Sequence, residues 1–247
     1  MELDVIAIVA GAFVAAGFVK GVIGMGLPLT SIALMALVFE LRQAVILVLV
    51  PVIVLNIYQA LAGLSAWATI RRFMLFNIFA CIGIFIGTRL LFELDQRILY
   101  IVLGTAMSLY VSINLFRVEI VIPPKWEKPL APPLGFAAGV LCGATGSLAA
   151  FLVPYLQGLK ITKDEFIQAV GFTFFITAAV WAVALFERGA VTWTLGTASA
   201  FALIPATIGM IGGTRLRARL APERFRLIVF LFLLLLGLNY IRRGIFG

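Results

Sequence analysis

The sequence has no histidine. That absence excludes imidazole-based catalytic triads, imidazole proton relays and histidine metal sites. Cysteine is almost as scarce. Cys81 and Cys142 each sit inside an apolar run, without the spacing of a zinc site or a disulfide framework. Acidic residues number only 11, and all fall in polar turns or at the ends of apolar runs. A carboxylate at membrane depth is the usual proton or cation carrier, so cation pumping is disfavoured, and Glu40 is the acid that would first overturn this. Ser147 follows a glycine, but no spaced Ser/Lys pair accompanies it, so no catalytic residue, metal or cofactor is expected and the protein reads as a non-enzyme. The start, Met-Glu-Leu-Asp-Val, lacks a basic n-region, so the first apolar run is expected to be retained.

What is present is apolar surface. Of the 247 residues 63% are hydrophobic and 12% charged. Mean hydropathy is +1.15, more apolar area than a water-soluble domain can hide. Continuous apolar runs of about 20 residues recur along the chain, the signature of membrane-spanning helices rather than of an alternating barrel. The expected class is an all-α polytopic membrane protein of the cell membrane, with the lipid bilayer as its surroundings. The net charge of +8 is assigned to loops that set topology and meet anionic lipid, not to nucleic acid.

One apolar run is broken where a membrane helix should not be. Leu3 to Phe39 would be roughly 55 Å long as one straight helix at about 1.5 Å per residue, against a hydrocarbon core of about 30 Å. Within it lies Gly17-Phe-Val-Lys-Gly-Val-Ile-Gly-Met-Gly-Leu-Pro-Leu-Thr-Ser31. Glycine weakens helix, and proline removes a hydrogen bond and clashes with the preceding turn. The run is therefore predicted to fold back near Gly21–Pro28, as a broken helix or a re-entrant hairpin. Unwound backbone at that depth must be buried in protein or line a cavity, and Lys20 supplies a positive charge there.

The rest of the chain reads as spans at Ala44–Gly63, Phe73–Leu91 and Ile98–Phe116, then a polar, proline-rich stretch, then a second beginning. Gly135-Phe-Ala-Ala-Gly-Val-Leu echoes Gly17-Phe-Val-Lys-Gly-Val-Ile without a gap; Gln168-Ala-Val echoes Gln43-Ala-Val; Gly213-Thr-Arg-Leu echoes Gly87-Thr-Arg-Leu. These landmarks predict two repeats: residues 1–116 and 134–247, joined by a linker at 117–133. Each would hold a Gly/Pro-broken element plus about three spans, and the second would be inverted. Most Lys and Arg then fall on one face, with Arg71, Arg72, Arg117, Lys125, Lys128, Lys160, Lys163 and the cluster from Arg215 to Arg226. The positive-inside rule makes that face cytoplasmic and leaves both termini outside.

The polar groups left at depth are Lys20, the backbone freed at Gly21, Gly24, Gly26, Gly143 and Gly146, the hydroxyls of Thr30, Ser31, Thr145, Ser147 and Thr173, and the amides of Asn56 and Gln59. Helix N-termini offer unpaired donors and partial positive charge. Hydroxyls and amides donate without adding negative charge, so the set suits a small oxygen-rich anion. Each residue also has a plainer role. A membrane glycine can be a close-packing contact, Lys20 can snorkel to an interface, and Asn56 and Gln59 can bond one helix to another.

The glycine motifs resemble those of the TauE/SafE family, also called the toluene-sulfonate uptake permease family. The resemblance rests on Gly21-Val-Ile-Gly-Met-Gly-Leu-Pro28, on Gly139-Val-Leu-Cys-Gly-Ala-Thr-Gly146 with Pro154 after it, and on the paired Gly-Thr-Arg elements, and covers essentially the whole chain. It implies a secondary transporter, an exporter of small sulfur-containing anions such as sulfonates or sulfite, by alternating access at a midplane site. The breaks at Gly21–Ser31 and Gly139–Ser147 would form that site. Met25, Leu27, Leu148 and Ala149 stand where the family pattern usually has glycine, which narrows and dries it. The other readings are an anion channel-like pathway, a carrier of non-sulfur organic anions, and an assembly role. The expected partner is a small anion, and a homodimer is compatible with the sequence.

Overall fold

In hydrocarbon no water completes the backbone hydrogen bonds, so apolar runs must close them internally as helix. The computed structural model describes residues 3–61, 66–116, 118, 120–217 and 222–246, and among these there are helices and no strands. The helices are α1 (Leu3–Ile23), α2 (Leu27–Met35), α3 (Leu41–Leu61), α4 (Ala66–Glu93), α5 (Gln96–Leu115), α6 (Pro124–Thr145), α7 (Ala149–Gly158), α8 (Lys163–Glu187), α9 (Trp193–Arg217) and α10 (Pro222–Phe246). Seven of them, all but α2, α6 and α7, are long and apolar enough to cross a membrane. The chain is an all-α polytopic membrane protein. Its exposed side chains include Phe201, Ile204, Ile208 and Leu235, as a lipid-facing surface requires.

The first apolar run folds back where the glycines stand. α1 stops at Ile23, Gly24 and Gly26 take left-handed φ values of 88° and 99°, and α2 restarts with Pro28 in its first turn. A left-handed backbone costs any residue with a Cβ, and Pro is pre-set for a first helical turn. The polar stretch 117–133 differs from its expectation as a linker. From Pro124 onward it is the first turns of α6, with Pro129, Pro132 and Pro133 inside the helix. Arg71 and Arg72 likewise lie within α4 rather than before it. Arg117, Glu119 and Arg219 lie outside the described residues.

Glycines set the closest helix contacts. α1 lies along α9, and α6 along α4. A Cβ at Gly17 would strike the Ala206 carbonyl, and one at Gly21 the backbone of Met210 and Gly213. A Cβ at Gly139 would strike the Ala80 carbonyl, and one at Gly143 the backbone of Ile84 and Thr88. Residue numbers rise together in both pairs, so each pair is parallel. α5 and α10 are antiparallel, with Gly104 against Gly237 and Gly244 against Arg97 and Ile101. α3 packs on α8, and α4 on α8 as α3 packs on α9.

These contacts put the two glycine motifs in a different register from the ungapped sequence match. Ala206 and Ala80 stand at the same place relative to Gly213 and Gly87. Packing therefore matches Gly17 with Gly139 and Gly21 with Gly143, one helical turn on from the match of Gly17 with Gly135. The shift aligns Gly24 with Gly146, which is also left-handed at φ 76°. It also aligns Lys20 with Cys142. With a small residue at every fourth position, a slip of four leaves the pattern almost unchanged, so the sequence match alone does not distinguish the two registers.

At one end the helices are tied by charge. Arg72 on α4 reaches both carboxylate oxygens of Glu127 on α6, at 2.7 and 2.9 Å, and Glu165 on α8 at 3.0 Å. Thr162 and Glu165 form a capping box that starts α8, so the first turn of α8 is fixed at both its backbone and its side chains.

Candidate functional site

Lys20 lies in the last turn of α1, one residue from the Gly21 contact with α9. It does not snorkel. It is 5% exposed, and its ammonium donates to Asn56 Oδ1 at 2.7 Å and to Gln59 Oε1 at 2.9 Å. Asn56 and Gln59 reach it because residues three apart share a helix face. The Asn56 amide nitrogen donates to the Val52 carbonyl at 2.7 Å, and that of Gln59 to the carbonyls of Gly24 and Ile167, each at 3.3 Å. Among the described residues no carboxylate pairs with Lys20: the ion pairs involve Arg72 and Arg89, and Glu40 is exposed at the turn before α3.

A cavity of about 310 Å³ borders this cluster. Gly24, Met25 and Gln59 are part of its lining; Tyr110, Asn114, Gln157 and Lys163 supply its other polar groups; Ile23, Phe166 and Phe230 are among its apolar walls. Lys163 is exposed, at the end of the bundle where Arg72 holds α4, α6 and α8. A second, much smaller space of about 10 Å³ is lined by Pro28, Val52, Cys142, Gly146, Thr177 and Trp181 among others.

The remaining candidates divide by geometry. Gly26 caps α2 and lets the backbone approach Val19 and the Thr30 side chain. The Thr30 and Ser147 hydroxyls are buried and without hydrogen-bond partners, as is that of Thr173. Gly146 faces Ile32 and the Trp181 ring. Ser31 and Thr145 are committed to their own helices: Ser31 Oγ donates to the Leu27 carbonyl at 2.7 Å, and Thr145 Oγ1 to that of Leu141 at 2.8 Å. Gly21 and Gly143 face partner helices rather than a cavity, and the Gly143 carbonyl accepts from the Trp181 indole at 3.2 Å. Thus Lys20, Asn56, Gln59 and Gly24 come together, Gly26 and Thr30 begin the helix next to them, and Gly146 and Ser147 mark the other break. Tyr110, Asn114, Gln157 and Lys163 join them only through the fold. No local pattern distinguishes these from ordinary span-end residues.

Gly24 and Gly11 allow a matched test. A Cβ at either meets nothing within 4 Å, but only Gly24 has a left-handed backbone. Gly24→Ala should lower stability by about 1–2 kcal/mol through backbone strain alone. Gly11→Ala, in a helix interior, should be neutral or stabilising by up to about 1 kcal/mol. Thermal unfolding in detergent compares them, and equal effects would remove the strain at the break.

A family model described as Sulfite exporter TauE/SafE matches residues 8–240. No curated protein and no solved structure matches the chain.

Proposed function

The chain belongs to the TauE/SafE sulfite exporter family, a family of membrane transporters and not of enzymes, and from that premise we propose that it exports small sulfur-containing anions, sulfonates or sulfite, across the cell membrane by binding them at Lys20. One observation carries this reading. A buried ammonium is held by two neutral amide oxygens, with no carboxylate partner among the described residues, at the edge of a cavity. Amides satisfy two of its three donors but cancel none of its charge, and burying a charge without a counter-charge is costly. An anion arriving from the cavity supplies both the missing charge and a better acceptor.

Alternating access is the proposed mechanism. The helix pairs support it: exchanging the halves turns α1 on α9 into α6 on α4, and returns the antiparallel pair α5 and α10 to itself. Two inverted repeats related by an axis in the membrane plane produce such a pattern. The cavity's lining includes the exposed Lys163, at the end of the bundle that the positive-inside rule makes cytoplasmic. A site at that end suits export.

The test is a thermal-shift screen of purified protein with sulfite, thiosulfate, taurine, sulfoacetate, acetate and phosphate. A ligand that binds only the folded state at a hundred times its Kd stabilises by about 2.7 kcal/mol. Shifts confined to the sulfur anions are expected. A shift with acetate alone would move the substrate to carboxylates, and no shift with any anion would remove the proposal.

A further inference from the structure

Gln59 stands between the cavity and the Lys20 ammonium. Gln59 and Gly24 line the cavity, whereas Lys20 is buried behind them, 2.9 Å from Gln59 Oε1. The same side chain holds three pieces of the protein: Lys20 through its oxygen, the broken segment through the Gly24 carbonyl, and α8 of the second half through the Ile167 carbonyl. α8 comes this close because position 171 is glycine; a Cβ there would press on the backbone of Gln59 and Ala60.

We infer that Gln59 is the gate between the cavity and Lys20, closed in the empty protein and opened when an anion takes the place of its carbonyl oxygen. The inference rests on Lys20 being the anion's partner, as proposed above. An ammonium bonds an anionic oxygen more strongly than an amide oxygen, so the exchange favours the anion once it has shed its water. A carboxylate at position 59 would form a tethered ion pair that an incoming anion could not easily displace; a neutral amide leaves readily. When the oxygen turns away from Lys20, the planar amide turns with it, and its nitrogen cannot keep both backbone carbonyls. Occupancy at Lys20 thereby releases the tie between Gly24 in the first half and Ile167 in the second. That is one of the contacts a rocking motion between the halves has to break.

The test uses a thiol on residue 20, behind Gln59 on the same side-chain path as the ammonium, and an anionic probe. Lys20→Cys is made in a chain with Cys81→Ala and Cys142→Ala, and reacted with 2-sulfonatoethyl methanethiosulfonate. Gln59 keeps its bonds to Gly24 and Ile167 in this variant, so modification should be slow. Adding Gln59→Ala should speed it by about tenfold or more, because no hydrogen bond then has to open first. Adding Gly11→Ala, away from the cavity, should leave the rate unchanged. Met25→Cys on the cavity wall reports that the probe enters. Gln59→Asn, one methylene shorter, should give an intermediate rate and serves if the alanine variant does not fold. Equal rates with and without Gln59 would overturn the gate, as would no labelling of Lys20→Cys, Gln59→Ala while Met25→Cys reacts. Labelling needs no transported substrate, so the gate can fail while sulfite still stabilises the protein, and it can hold where sulfite does not.

Discussion

Lys20→Met should cut the thermal stabilisation of the protein by small anions by half or more while leaving the yield of folded protein close to that of the parent. The two halves of this expectation have different physical sources. Binding suffers because the site loses its one buried cation. Hydrogen bonds to charged groups contribute roughly 1.5–3 kcal/mol, about 10- to 150-fold in affinity. Folding does not suffer comparably. Methionine fills the same volume with a flexible apolar chain. The orphaned Asn56 and Gln59 oxygens each lose a partner, but the cost of burying an ammonium without a counter-charge disappears as well. Asn56 remains anchored through its bond to Val52, and Gln59 through Gly24 and Ile167. The sulfite thermal shift reads the first effect, and the yield of folded protein with its melting temperature in the absence of anion reads the second. An undiminished sulfite shift in Lys20→Met would assign Lys20 to helix packing and send the search for the site to Thr30 and Ser147.

How much of this was legible in the sequence follows from which forces act locally. The fold-back at Gly21–Pro28 could be read because a left-handed glycine and a first-turn proline are demands of the backbone itself. The Lys20–Asn56–Gln59 cluster was legible in part. A lone cation and two amides stood out against an apolar background, but only the fold brings Lys20 of α1 within reach of that face of α3. The hydroxyls were the weakest guide. A serine or threonine in a helix always has the carbonyl one turn back within reach, so Ser31 and Thr145 bond there, whereas Thr30, one residue from Ser31, does not. Gly21 and Gly143 show the matching ambiguity for glycine. The same residue type opens a break at Gly24 and closes a helix contact at Gly21, and the difference lies in the neighbouring helix. The linker shows a third limit. Its prolines argue against helix; Pro124 is tolerated because the first N–H groups of a helix have no intrahelical partners, but Pro129, Pro132 and Pro133 lie deeper in α6, and nothing in the structure explains why the helix keeps them.

The glycine seams support the largest stability prediction. Gly139→Ala should destabilise the fold far more than Gly11→Ala or Gly196→Ala, although each adds one methyl group. At Gly139 the new methyl would fall on the Ala80 carbonyl, a backbone group that cannot rotate away. At Gly196 it would lie 3.8 Å from a Val191 methyl, and at Gly11 it would meet nothing. To admit the methyl at Gly139, α4 and α6 must move apart along a parallel seam that also holds Gly83, Gly87, Gly135 and Gly143. Membrane helices associate largely through close packing, with no hydrophobic effect between them to compensate. Overpacking of this kind costs typically 1–3 kcal/mol, about 2–4 °C in melting temperature per kcal/mol for a chain of this size. Gly17→Ala should behave like Gly139→Ala, because the packing register places Gly17 against Ala206 as Gly139 lies against Ala80. Gly135→Ala meets the Phe76 carbonyl, nearer the polar start of α6, and should cost less. A melting temperature for Gly139→Ala within a degree of the parent would show that the seam yields without loss. Gly17→Ala matching Gly135→Ala instead of Gly139→Ala would return the halves to the register of the ungapped sequence match.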